Sequence, residues 1–210
     1  MGQEPGRARN RPVLARTAAF MVLGLAATGL GGCAALLGGN QAVPTFDLSA
    51  PRAVPVERTG VRVLVISDPT SLAVLNTEKI VVEPQPGQVA YLGNAQWSDR
   101  LPPLFQARLI ETFENSSRAR SVARPGDRVT ADYVLLTDIR SFGLQTFASP
   151  EAVVEVSAKI VDDRAGRIVA AKVFTGRAPA GSSSGAEATR ALDAASDQVF
   201  IELVKWASGY

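Results

Sequence analysis

Cys33 is the only cysteine among 210 residues, and no histidine stands anywhere in the chain to activate it. Those two counts exclude a Ser–His–Asp triad, a Cys–His pair and imidazole zinc sites, as well as any intrachain disulfide or thiolate cluster. Ser–Lys, carboxylate and tyrosine chemistry stay open. The four lysines, Lys79, Lys159, Lys172 and Lys205, fall on expected strands or helix ends, with no SxxK nearby. There is no GxxxxGK[ST] loop, and the polar run Gly181–Gly185 is followed by no lysine that could open a phosphate-binding helix. The residues therefore point to no catalytic group, no cofactor and no metal; the chain is read as not an enzyme.

One chemical fate suits a lone thiol at position 33. The stretch Leu30-Gly31-Gly32-Cys33 has the form of a lipobox, with an aliphatic residue at −3, small residues at −2 and −1, and the thiol as acyl acceptor. Before it, Arg7, Arg9, Arg11 and Arg16 precede the uncharged stretch Thr17–Leu30, the basic and apolar parts of an export signal. Residues 1–32 read as a lipoprotein signal peptide, Cys33 as the lipidation site, and 33–44 as a lipidated tether. Two alternatives stand beside this: a buried small hydrophobe at Cys33, and an uncleaved transmembrane helix, since no charge lies between Arg16 and Asp47. The glycines at 24, 29, 31, 32, 38 and 39 make a poor second half for a membrane helix. Either anchor leaves the folded domain outside the cytoplasm. Ala34 after the cysteine, in place of aspartate, favours the outer membrane with the domain facing the periplasm. Without Glu4 and those four arginines, 18 basic face 19 acidic residues, so the pI of 8.9 belongs to the N-terminus and no nucleic acid is expected as partner.

The elements that must be positioned outside the membrane are α+β in pattern. Val61–Ser67 is a β-branched run, while Ile80–Glu83 and Gln88–Gly93 flank the Pro84–Gly87 turn as a hairpin. A helix follows, capped by Ser98 or Asp99, with prolines 102 and 103 in its first turn and Leu101, Phe105, Leu109 and Phe113 on one stripe. Arg120–Ala123 is a short strand. Asp132–Phe147 is a long one with a bend expected at Gly143, and Glu151–Val161 and Ile168–Thr175 complete a meander. After a loose connection over Ala178–Gly185, Glu187–Ser208 is a second helix, with Ala188, Leu192, Ala195, Val199, Leu203 and Trp206 on its apolar face and Gly209 as its C-cap. A single domain over 45–210 is expected, an antiparallel or mixed sheet with two amphipathic helices packed on one face.

TFDLSAP from Thr45, VRVLVISDPTS from Val61, the segment from Leu75 to Ser116 and ADYVLLTDIRSF from Ala131 resemble the ABC-type transport auxiliary lipoprotein family, the PqiC-like group associated with MCE-domain transport systems. The similarity covers roughly 45–206 and is most specific at Tyr91, Trp97, Asp99, Leu101 and Pro102; Phe46 stands where many members have tyrosine. The resemblance implies a lipoprotein working beside an MCE-domain protein and its ABC permease and ATPase, in a system that moves phospholipids or other hydrophobic molecules between membranes. This chain would dock the system at the outer membrane. By analogy with a hollow MCE assembly, a homo-oligomer of matching symmetry is expected. The alternative function is a structural or assembly lipoprotein of the cell envelope without a transport role.

Three further groups carry two readings each. Tyr91 with Trp97 is either an exposed partner-binding patch or a core contact fixing the strand–helix corner. Asp132, Asp138 and Arg140 either converge on a site or line a solvated strand face. Asn115-Ser116-Ser117 matches a glycosylation sequon that has no meaning in a bacterial lipoprotein.

Overall fold

One long strand, Tyr133–Gln145, organises the molecule, because both of its edges are occupied. The computed structural model describes residues 1–2, 42–56, 62–116 and 122–210, and Val43–Tyr210 forms one compact unit. Its strands are β1 (Thr45–Phe46), β2 (Leu64–Ile66), β3 (Thr70–Ser71), β4 (Lys79–Gln85), β5 (Gln88–Trp97), β6 (Val122–Ala123), β7 (Tyr133–Gln145), β8 (Glu151–Asp162) and β9 (Arg167–Pro179). The helices are α1 (Leu101–Glu114), between β5 and β6, and α2 (Gly185–Ala207), after β9. On one side β7 pairs along its length with β8, and β8 with β9, all antiparallel. Its other edge takes three strands end to end, all parallel: β2 at Tyr133–Leu135, β3 at Asp138–Ile139 and β4 at Gly143–Gln145. β5 folds back on β4, β1 runs parallel to the end of β5, and β6 runs parallel to β2. The result is the expected α+β fold with a mixed sheet.

Burial of one sheet face drives this arrangement. Ala152, Val154, Val156, Ala158 and Ile160 of β8 are buried on that face, with Leu135, Ile139, Phe142 and Leu144 of β7 beside them. Those four β7 residues break strict alternation. The pairing resolves this, since Ile139 lies opposite Val156 and Ser141 opposite Glu155, leaving Arg140 as an extra residue. This bulge resets the two-residue period, so Phe142 and Leu144 return to the core. Gly143, where a bend was expected, has a different task. A Cβ there would stand 2.9 Å from the Val81 carbonyl oxygen, so the glycine lets β4 close against β7.

The helices cover the same face. Leu101, Phe105, Leu109 and Phe113 of α1 are all buried, and the Phe105 ring sits 4.9 Å from Phe200 of α2. In α2 the buried positions include Ala188, Leu192, Ala195, Val199 and Leu203, with Trp206 half-buried. α1 begins without a side-chain cap: Arg100 is its N-cap, and Asp99 Oδ1 accepts only from the Arg100 N–H. The free-donor problem is met otherwise, because Leu101 N–H donates to the Thr77 carbonyl and prolines 102 and 103 have no N–H to satisfy. α2 ends at Ser208 in right-handed geometry, and Gly209 is not among the positive-φ residues, so the expected glycine C-cap is replaced. β9 reaches Pro179 and α2 starts at Gly185, which shortens the connection expected over 178–185. β6 holds Val122 and Ala123 of the expected strand, whose residues 120 and 121 lie outside the described residues.

After β1, residues 47–51 strap both helices. Asp47 pairs with Arg108 of α1, and Ser49 N–H donates to Asp193 of α2 at 2.6 Å. Asn115 Nδ2 then donates to the Pro51 carbonyl at 3.1 Å. Leu48 and Val54 are buried beneath.

Candidate functional site

Cys33, the expected lipidation site, lies outside the described residues, as do residues 3–32 of the expected signal peptide and 34–41 of the expected tether. Among the described residues, no group of three or more acidic side chains converges as a metal site. Asp132 and the Asp138–Arg140 pair do not form one site. Asp132 closes the start of β7, with its Oδ2 accepting from Val63 N–H at 3.0 Å and Arg164 within 3.4 Å. Asp138 accepts from the Thr70 hydroxyl at 2.9 Å, and Arg140 lies 3.9 Å from Asp138 and 3.8 Å from Glu155. All of these are exposed or half-exposed partners on the outer sheet face, the solvated reading of the two.

Tyr91 and Trp97 part company. Trp97, the last residue of β5, is 1% exposed and meets Phe142 edge-on at 5.8 Å. Its position follows from a break in the period of two: Val81 lies opposite Tyr91 but Lys79 opposite Gln96, so surplus residues of β5 reset the alternation, and Ala95 and Trp97 are buried while Val89 and Tyr91 are exposed. Of the two readings of the pair, Trp97 takes the core one, at the corner between β5 and α1. Tyr91 is 42% exposed, opposite Val81, with the Lys79 ammonium 5.1 Å from its ring centroid.

Near Tyr91 two apolar side chains stand exposed, Val89 at 53% and Leu72, from the β3–β4 connection, at 69%. Both line a cleft of about 220 Å³, together with Val81 and Gly143 and the charged Glu83 and Arg140. Neither Leu72 nor Val89 was singled out by motif reasoning. The available signal was electrostatic: Pro84–Trp97 contains no Asp, Glu, Lys or Arg in a chain where such residues make up 20%.

Topology extends that neutrality to a whole end of the sheet. Glu83 pairs with Gln145 and Glu151 with Pro179, so the turns at 84–88, 146–150 and 180–184 lie at one end. None of their fifteen residues is charged, and Phe147 is 43% exposed among them. At the other end, 124–132 and 162–167 carry Arg124, Asp127, Arg128, Asp132, Asp162, Asp163, Arg164 and Arg167, eight charges in fifteen residues.

Two ionisable groups on the helix side depart from their ordinary behaviour. Burial works against the Arg108 guanidinium, yet its bonds to Asp47 and Glu111 hold its pKa above the usual value. Asp197 of α2 is pushed up to about 6, first by burial and then by the neighbouring Asp193 carboxylate. Its Oδ1 has no hydrogen-bond partner among the described residues. Both belong to the packing of helices and strap.

The family model described as ABC-type transport auxiliary lipoprotein component matches residues 45–204. A protein of Bradyrhizobium diazoefficiens named only as uncharacterized is 36% identical over 166 residues, covering 77% of this chain and 44% of that relative, so the chain spans less than half the relative's length. The crystal structure of a Xanthomonas campestris protein of family DUF330 superposes with a TM-score of 0.70 at 26% identity, covering 79% of this chain and 96% of that one. A second crystal structure, of an uncharacterized protein, shares the fold at a TM-score of 0.62 and 12% identity, covering 78% and 97%.

Proposed function

The chain belongs to the family of ABC-type transport auxiliary lipoprotein components, and on that premise we propose that it is the non-catalytic docking member of an MCE-linked system that moves lipids or other hydrophobic molecules. It acts from the periplasmic side of the outer membrane, held there by acyl chains on Cys33. A partner ATPase hydrolyses ATP and a permease and MCE-domain protein carry the cargo, while this domain positions the system at the membrane.

The single observation that carries this reading is the family match over 45–204, directly downstream of a lipobox whose cysteine is the sole thiol of the chain. The physical support is consistent. One acyl chain binds a bilayer only marginally, at about 0.8 kcal/mol per buried methylene, so a triacylated cysteine is a firm anchor. The described domain offers outer-face apolar surface rather than a closed cavity with converging ionisable groups.

Two measurements test it. Cys33→Ser should leave unprocessed precursor or release the domain from the membrane fraction, with the acyl mass lost from the mature N-terminus. Affinity purification of the acylated protein from envelopes should recover an MCE-domain protein. A stable, abundant protein with no such partner would point instead to a structural envelope lipoprotein.

A further inference from the structure

The chain approaches the domain from its neutral end. β1 runs parallel to β5, with Thr45 beside Gln96, and the Pro44 carbonyl accepts from Gln96 N–H at 3.0 Å. Residues before Pro44 therefore come from the side of the β4–β5 turn. From Gln96 back to Gln88 the hairpin projects about 20 Å in that direction, the span from Lys79 to Gln85 of the paired strand at about 3.3 Å per residue. The ten residues from Ala34 to Val43 reach about 34 Å when fully drawn out and about 17 Å, root-mean-square, as a flexible chain. At random-coil dimensions ten residues thus fall short of the hairpin beside them.

That geometry has a consequence for whichever surface holds Cys33. We propose that the neutral end is a membrane-contact surface, with Val89, Phe147 and the β4–β5 turn resting on the lipid headgroup layer. The proposal rests on the reading of Cys33 as an acylated anchor. Two independent features fit a lipid surface. The first is the absence of charge from all three turns at this end: a charge taken toward hydrocarbon is costly, and these turns have none to desolvate. The second is the kind of side chain exposed there, Val89 and Phe147 with Tyr91 just behind them; an amphipathic tyrosine suits the boundary between headgroups and water. The carboxylates that border these turns are bonded: Glu83 to Gln145 Nε2 and Gly87 N–H, both at 2.9 Å, Glu151 to Arg177 at 2.6 Å, and Glu187 to Arg190. The eight charges of the other end then face away from the membrane. Anchor and hairpin together fix the domain's orientation, because two points of contact restrict its rotation where one does not.

The test uses the full mature lipoprotein. Acylation consumes the only native thiol, so a cysteine introduced by Val89→Cys or Phe147→Cys takes a nitrobenzoxadiazole label alone, with Ala165→Cys as the control at the charged end. All three sites are exposed, so the fold is not strained by them. In vesicles of phosphatidylethanolamine and phosphatidylglycerol, spin-labelled lipid should quench the labels at 89 and 147 by about twofold or more and leave 165 unchanged. Equal, weak quenching at all three sites, with acylated Cys33 shown by mass spectrometry, would overturn the proposal and leave the anchor intact. Labels shielded only on addition of the MCE-domain protein would overturn it too, assigning the face to a protein partner. An unacylated Cys33 would remove the lipoprotein reading itself, and this proposal with it.

Discussion

Toward the neutral end α2 meets the sheet backbone to backbone, and toward the charged end it meets it through rings. Gly176 of β9 lies so close to α2 that a Cβ would stand 2.0 Å from the Ala195 carbonyl oxygen, and a Cβ on Gly185 would stand 2.7 Å from Ala95. At the other end Trp206 touches Phe174 at 5.5 Å and Tyr210 at 5.8 Å, Tyr210 touches Tyr133 at 6.5 Å, and the Arg62 guanidinium lies over Tyr133 at 5.4 Å. The two modes of attachment differ in tolerance. Backbone contact admits no side chain, whereas a row of edge-on rings has rotamers with which to adjust.

The largest effect should come from breaking the backbone contact. Gly176→Ala pushes a methyl group into the α2 main chain, which cannot yield as a side chain would, and should cost about 3 kcal/mol or more by urea unfolding. If the loss is below about 1 kcal/mol, α2 rides higher on the sheet than described. Trp206→Ala should cost less, about 2 kcal/mol, because the ring is half-buried and its two neighbours can close part of the gap. Losing near-UV ellipticity with little change in far-UV signal would mark a defect confined to the charged end.

Asp197 sharpens the comparison from the middle of α2. Its folded pKa of about 6 exceeds the unfolded value of 3.8, so the folded chain holds the proton longer. Stability should therefore fall as pH rises from about 4 to about 6, by about 1 kcal/mol once solvent screening of a half-buried group is allowed for. Urea unfolding at both pH values measures the drop, and Asp197→Asn should abolish it. Smallest of all are charge changes at the two ends. Arg164→Gln and Val89→Lys should each shift stability by less than about 0.5 kcal/mol in thermal melts, since both positions are exposed. Only Val89→Lys should reduce the quenching of a label at residue 147 by spin-labelled lipid, and equal reduction by both would erase the functional distinction between the ends.

Much of this fold is written in local pattern. The alternation of Ala152, Val154, Val156, Ala158 and Ile160 specifies β8, and the four-residue spacing from Leu101 to Phe113 specifies α1. What escaped local reading depends on distant partners. β1 and β3 are two residues each and exist only because β5 and β7 offer them an edge. The Arg140 bulge was missed because Ser-Phe-Gly reads as a bend, whereas the cause is which β8 residues lie opposite. Tyr91 and Trp97 share the parity that a regular strand puts on one face, and only the irregular pairing of β5 with β4 between them sends one out and the other in. The neutral end is the extreme case. Its three turns are separated by tens of residues, so their shared lack of charge becomes one surface only after the strands are paired.

The odd residue in β7 also gives the strand slack. Thirteen residues there answer twelve in β8, so excising Arg140 alone would restore even parity and leave Phe142 and Leu144 in phase with Val154 and Ala152. A one-residue deletion in the middle of a central strand should therefore leave a folded protein with its core intact, paying only for a 3.3 Å tightening between β3 and β4. Removing Leu135 instead would put the strand out of step, and its far-UV spectrum should show the loss.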